Sequence, residues 1–253
     1  MLFCDAHLHA ACCSGLEQAA TMENYRLSGE KDGFLGASCA HGREEFARQQ
    51  ELVRLSGGHI RPLFGMHPQL PLLDNADFLE TLLIRKEIIG IGETGFDLFT
   101  PEFKANLAAQ EEAWGISLEL AATYGVPVVV HDRKALDFIF RDAGKLKVLP
   151  AVVFHSFAFG PREALSILNH GIPAWFSFAK QLLNGNKKSR SCVAELPLDR
   201  LLLETDAPYQ TLKGESETSP FEIRRVYDEA ARIRGMGLEE LAAALQENFE
   251  AVF

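Results

Sequence analysis

The sequence has no apolar run close to the ~20 residues that a membrane-spanning helix needs, so no membrane partner is expected. Asp5 breaks the only N-terminal apolar segment, which argues against a signal peptide and makes the cytoplasm the expected compartment. Cysteine is sparse: five residues, an odd number, at Cys4, Cys12, Cys13, Cys39 and Cys192, with no CxxC spacing. That argues against a disulfide framework. Cys4 and Cys39 sit in strand-like runs and read as small core residues, and Cys12 and Cys13 read as loop thiols, with metal contact the alternative. Positive charge is also short, with 25 Lys and Arg against 35 Asp and Glu and a net charge of −10. Broad electrostatic binding of nucleic acid is therefore disfavoured. A protein that meets phosphate through bound cations is not excluded, because the ions then supply the local positive charge. There is no internal repeat, low-complexity segment or interdomain linker.

What is present is alternation. Apolar strand-like runs recur at 2–7, 33–38, 60–65, 88–92, 126–131, 151–155, 174–178 and 201–205. Between them lie helix-like patterns at 43–55, 76–85, 102–124, 134–143 and 162–170, with a short helical turn after Lys187 and a C-terminal pair at 220–233 and 238–253. Ser219-Pro220 has the form of an N-cap with a first-turn proline. The segments 10–32 and 182–195 show no clear amphipathic period and read as loops with at most a short helix. Near-continuous apolar strands alternating with helices imply a parallel α/β sheet. Eight of them close most economically into a TIM-type (β/α)₈ barrel, and a chain of 253 residues matches the ~250 typical of that fold. The expectation is one domain over residues 1–253. An open doubly wound sheet is the alternative, but no Gly-rich phosphate loop follows the first strand.

Chemistry in such a barrel sits at the C-terminal strand ends, which face one another across the top. The first strand ends in Asp5-Ala6-His7-Leu8-His9, and a period of two sends His7 and His9 the same way, as a metal half-site. Two histidines one residue apart can equally share a polar strand face, so the reading depends on the other strand ends. His67 follows the third strand, Glu93 the fourth, His131-Asp132-Arg133 the fifth, His155-Ser156-Phe157 the sixth and Glu204-Thr205-Asp206 the eighth. Each alone has a plain explanation: a helix cap, a hydrogen-bonded core histidine, or a turn residue before Ala207-Pro208. Gathered at one level of one face, they point to metal. Mixed nitrogen and carboxylate donors suit zinc, manganese or a related ion, whereas calcium favours more oxygens, and magnesium is kept among the candidates. Six donors exceed what one open zinc site needs and suit two divalent ions sharing a carboxylate, with Glu93, on a middle strand, as the bridge.

These segments, together with Gly65-Met66-His67-Pro68, Ile91-Gly92-Glu93-Thr94-Gly95-Phe96-Asp97 and Leu198-Asp199-Arg200-Leu201-Leu202-Leu203-Glu204-Thr205-Asp206-Ala207-Pro208-Tyr209, resemble the TatD family of metal-dependent deoxyribonucleases over nearly the whole chain. That family belongs to the amidohydrolase-like barrels. The resemblance implies one ion held by His7, His9, Glu93 and Asp206 and a second by Glu93, His131 and His155. It implies that Asp206 orients or deprotonates the attacking water, and that His67 and Arg133 lie near the scissile phosphate. The substrate it implies is DNA or a short oligonucleotide, taken at a single-stranded end by an exonuclease.

Some segments depart from the family pattern. The first crossover lacks a clear helix, and the glycine after His155 comes late, at Gly160. The segment after Pro208-Tyr209 carries Glu215 and Glu217, which are expected to repel a polyanion. Lys187, Lys188 and Arg190 form a basic cluster that could follow a nucleic-acid backbone or be a solvated surface. Phe96, Phe99, Phe157, Phe159 and Tyr209 are candidates for base stacking, with packing the alternative. His41, His59 and His170 match no motif and receive no role. Two other readings keep the barrel: hydrolysis of a C–N or ester bond in a small molecule, and a non-catalytic metal-stabilised scaffold.

Overall fold

The computed structural model describes residues 1–16 and 33–253 of the chain. Of the first crossover it shows only the opening, one 3₁₀ turn at Ala10–Cys12; the rest of that expectation lies outside the described residues. Eight strands, β1 (Leu2–Leu8), β2 (Gly33–Ala40), β3 (Ile60–Phe64), β4 (Gly90–Asp97), β5 (Val128–Arg133), β6 (Val152–Phe154), β7 (Ala174–Phe178) and β8 (Leu201–Leu203), pair in parallel in sequence order as one sheet. This is the barrel that the alternation of patterns predicts. Its interior is filled by small residues from the first two strands (Cys4, Ala6, Ala37, Cys39) and larger ones from the others, among them Leu63, Trp175 and Leu202. Outward-facing side chains such as Phe3, Phe64, Val130 and Phe176 pack beneath the surrounding helices. No helix among the described residues is long and apolar enough to cross a membrane.

The ring is fastened between β8 and β1 just beyond the regular ladder. Asp206 N donates to His7 O at 3.0 Å and His9 N to Ala207 O at 2.7 Å. Beside them the buried Asp5 carboxylate accepts from Thr205 N at 2.9 Å and Thr205 Oγ1 at 2.6 Å. Burial pushes the Asp5 carboxyl up to about 8, and the two Thr205 bonds oppose that rise. Cys4 turns both backbone groups toward the same seam. The hydroxyl of Tyr227 accepts from Cys4 N at 3.2 Å and donates to Cys4 O at 3.0 Å, so neither is left unpaired.

Helices α1 (Arg43–Leu55) and α2 (Ala76–Ile84) follow the expected positions. The helix expected over 102–124 is interrupted at Asn106, giving α3 (Pro101–Ala105), capped by Thr100, and α4 (Leu107–Tyr124). Next come α5 (Leu136–Arg141), α6 (Ala143–Leu146) and α7 (Pro161–Asn169), with Gly160 at the N-cap of α7. Instead of a single turn, α8 runs over Lys187–Glu195, because the Asn186 side chain accepts from Ser189 N at 3.2 Å and caps it. Pro220–Glu222 forms a 3₁₀ turn that leads into α9 (Ile223–Arg234), followed by α10 (Leu238–Val252).

One member of each charged feature expected near the substrate is tied into the fold instead, Arg190 of the basic cluster and Glu215 of the acidic segment. Arg190 donates to Leu182 O at 3.1 Å and pairs with Glu229 on α9, so only Lys187 and Lys188 of the basic cluster stay exposed. Glu215 is not a free acid. Lys180, 1% exposed at the end of β7, donates to Glu215 at 2.5 Å, Glu222 at 2.6 Å and Thr218 Oγ1 at 3.1 Å. A buried ammonium is tolerable only with such partners. The segment after Tyr209 is therefore anchored on Lys180, and the charge of Glu215 is neutralised in place. Accordingly, Glu215→Lys should lower the melting temperature by several degrees, since it sets a second cation beside Lys180, whereas the exposed Glu217→Lys should leave it within error. Thermal unfolding of the two variants checks this. Equal, small shifts would mean that the Lys180 cluster contributes nothing.

Candidate active site

Strict alternation along β1 would put His7 on the face opposite Cys4 and Ala6. The register instead shifts between Asp5 and Leu8. Cys4 and Ala6 face the barrel interior, but Leu8, of the same parity, packs outward. The shift thus turns His7 and His9 toward the centre, with their Nε2 atoms 3.2 Å apart. A second shift in β4, between Gly92 and Thr94, does the same for Glu93. Close packing makes glycine necessary nearby: a Cβ on Gly65 would lie 2.4 Å from Glu93 O, and one on Gly95 would lie 2.3 Å from His131 O.

Glu93 stands at the centre of the site, 1% exposed. Its Oε1 lies 3.4 Å from His7 Nε2, 3.3 Å from His9 Nε2 and 3.3 Å from His41 Nε2. Its Oε2 lies 2.5 Å from His155 Nε2, 3.2 Å from His131 Nδ1 and 3.6 Å from His67 Nε2. The six imidazoles form a closed ring around the carboxylate, in the order His7, His9, His41, His67, His131, His155, with neighbouring ring centroids 4.2–5.4 Å apart. Asp206 adds Oδ1 at 3.5 Å from both His7 Nε2 and His9 Nε2. Despite this company Glu93 Oε1 accepts no hydrogen bond, and His9 Nδ1, His41 Nε2 and His155 Nδ1 are likewise buried without partners. Buried polar atoms are rarely left so. Four overlapping groups of three donors could hold a metal ion: His7, Glu93 and His155; His7, His9 and Asp206; His9, His41 and Glu93; His67, Glu93 and His131. The residues fit divalent cations.

The electrostatics follow from burial and proximity. Burial disfavours the charged form of His9, but the Asp206 and Glu93 carboxylates outweigh it and hold the imidazole up to about 10. The same contest, won by surrounding imidazoles, holds Glu93 well below the usual carboxylate range and lowers Asp206. His67 goes the other way. Burial pulls it down to about 4, with Glu93 opposing, so it is neutral.

Hydrogen bonds fix the tautomers. Asp97, buried and held down to about 2 by His131 and Gln69 against its desolvation, can only accept, so His131 Nε2, 3.1 Å from Asp97 Oδ2, carries the proton and leaves Nδ1 for a cation. His67 Nδ1 accepts from Gln69 N at 3.1 Å, which places its proton on Nε2. Behind His155, Glu204 accepts from Ser156 N at 2.8 Å and from the Ser177 hydroxyl.

All six expected ligands, His7, His9, Glu93, His131, His155 and Asp206, are therefore brought together, and His67 joins them. Arg133 is placed differently. It is exposed at the mouth of the cavity with its guanidinium over the Phe99 ring, 3.8 Å from the centroid. The cavity measures about 680 Å³. Its wall includes Gln210, whose Nε2 donates to Asp206 Oδ2 at 3.1 Å and to the Ser156 hydroxyl. Of the five candidate stacking aromatics, Phe99 and Tyr209 are exposed, and Phe96 and Phe157 are core residues. Phe159 packs against the core. Cys12 lies on the cavity wall and donates to Glu45 at 3.4 Å; Cys13 is buried. His41, Asp97 and Gln210 are the contributors that sequence reasoning passed over. His41 had a usable signal, since it stands at a strand end like the other histidines, but the expected strand stopped at Ser38, whereas β2 continues to Ala40.

The family model for TatD-related DNases matches residues 4–253. The chain belongs to the TatD family. This TatD chain is 30% identical over 227 residues to the protein named 3′-5′ ssDNA/RNA exonuclease TatD of Pantoea ananatis, covering 83% of this chain and 84% of that one. It is 32% identical over 196 residues to the metal-dependent hydrolase YcfH of Escherichia coli K12, covering 75% of this chain and 72% of the relative. Among solved structures, the TatD homologue YjjV of Escherichia coli K12 superposes with a TM-score of 0.85 at 26% identity, covering 99% of this chain and 97% of YjjV.

Proposed function

We propose that this TatD-family protein is a metal-dependent phosphodiesterase of one barrel domain, a deoxyribonuclease that removes nucleotides from a single-stranded end. The observation that carries the reading is the buried Glu93 carboxylate with three imidazole nitrogens facing each oxygen. The name of the Pantoea ananatis relative supports an exonuclease working 3′ to 5′ on single strands. His7, His9, Glu93 and Asp206 would hold one divalent ion and Glu93, His131 and His155 a second, with zinc, manganese and magnesium the candidates. Two such ions supply Lewis-acid polarisation of the phosphoryl oxygen and lower the pKa of the attacking water.

The protein's own groups do the rest. Asp206, steadied by Gln210 on Oδ2, orients that water and takes its proton. Neutral His67 presents Nε2–H, a donor suited to a non-bridging phosphate oxygen. Arg133 offers its planar donors at the cavity mouth, with its guanidinium carbon over the Phe99 ring. The experiment is digestion of a single strand labelled at either end, with EDTA and with metal restored, beside a panel of small amides and esters. The expected result is stepwise shortening from the 3′ end that stops on chelation and resumes with metal. Turnover of amides without phosphodiester cleavage would overturn the reading.

A further inference from the structure

We propose that His41 creates a third cation position in this centre, between its Nε2 and Glu93 Oε1, beyond the two ions of the functional reading on which this inference rests. His41 is held from three sides. Its N–H donates to Glu45 Oε2 at 2.7 Å, its carbonyl accepts from Asn75 Nδ2 at 3.2 Å, and its ring Nδ1 lies 3.2 Å from Gly65 O. A carbonyl oxygen can only accept, so Nδ1 carries a proton, and Nε2 is the nitrogen available to a cation. Nε2 lies 3.3 Å from Glu93 Oε1, and both atoms are buried with no hydrogen-bond partner. Two buried acceptors this close, off the line of a hydrogen bond, are stabilised by a cation that both can reach.

The adjacent His67 has the opposite tautomer, with its proton on Nε2, so it is a donor toward substrate and not a ligand. The distinction separates two histidines that stand side by side, with centroids 4.9 Å apart. The group His7, His9 and Asp206 is complete without His41, whose Nε2 groups with His9 and Glu93 instead. A lone pair serves one ion at a time, so with His9 committed to the first ion the third rests on His41 and Glu93, and solvent or a substrate phosphate oxygen completes its shell. It is the most weakly held of the three.

Manganese titration of metal-free protein, with bound ion counted by equilibrium dialysis and electron paramagnetic resonance, tests this on wild type and on His41→Asn. The asparagine amide can keep the bond to Gly65 O but has no counterpart of Nε2. Wild type should bind two ions tightly and a third at least tenfold more weakly, and His41→Asn should bind only two, with circular dichroism unchanged. Saturation at two ions in both proteins overturns the third position and leaves the two-ion reading intact. A wild type that stops at two while His41→Asn loses affinity for one of them places His41 in the first ion's shell, which also overturns it. Fewer than two ions in wild type removes both readings, and three in His41→Asn removes the assignment to His41.

Discussion

Glu93→Ala should bind neither ion stoichiometrically, and turnover should fall by ~10³-fold or more, the order seen when a central catalytic group is lost. No other side chain in the ring has an oxygen toward each half of it. Oε1 is directed at His7, His9 and His41, and Oε2 at His67, His131 and His155. Alanine removes the bridge and leaves six imidazoles facing one another across a hole, so both sites should disorganise together. His131→Ala deletes a donor from one group only and should weaken one ion while sparing the other. Glu93→Gln, which preserves volume, separates loss of charge from loss of packing. Metal content after dialysis and turnover on a small phosphodiester give the measurement. Two ions and near-normal turnover in Glu93→Ala would show that the carboxylate is not a bridge.

Asp206→Asn should reduce kcat by ~10²–10⁴-fold, the range general acid–base groups contribute, with KM nearly unchanged. The substitution suits the backbone. Asp206 has φ of 57°, in the left-handed region, where asparagine is among the few residues accommodated without glycine. Its N–H to His7 O and its carbonyl to Tyr209 N can both persist, so the fold should survive. An amide, however, cannot take a proton from water and is a poorer ligand than a carboxylate. The kcat and KM of the variant, with metal content matched to wild type, are the readout. A raised KM at unchanged kcat would make Asp206 a binding residue instead.

The barrel was legible because each strand is buried on both sides, so the apolar runs are nearly unbroken and the helices between them are long enough to see. Strand ends were harder. β4 was expected to stop at Gly92 and runs to Asp97, because Thr94-Gly95-Phe96-Asp97 lacks the apolar density of a strand although all four are buried. Asp97 therefore reads as a loop residue in the sequence, where nothing marks its contact with His131. A period of two picks out His7 and His9 on β1, and the strand end picks out Glu93 on β4, but these candidate ligands reach the centre only because register shifts in both strands change the phase. Such shifts leave no mark in composition. Pairings such as Lys180 with Glu215, 35 residues apart, or Arg190 with Glu229, 39 apart, depend on which loops meet in space. Charge counting alone sets Glu215 against a polyanion and offers Arg190 as a backbone contact or a solvated side chain.

The seam between β8 and β1 makes the candidate active site the clasp of the barrel. Asp5 reaches Thr205 across 200 residues, and the bonds joining His7 and Asp206 lie beside it. A growing chain therefore exposes His7 and His9 first and carries them without Asp206 until the eighth strand has been made. Long-range closure of this kind is the slow, entropically costly part of assembling such a topology. Cations that arrive early find half a site and bind with only part of their final affinity. Once the ends meet, any ion held by donors from both of them favours the closed ring over the open one by mass action, by about 2.7 kcal/mol when free metal exceeds the dissociation constant a hundredfold. For an ion held in that way, loading of the site and closure of the barrel would be one equilibrium.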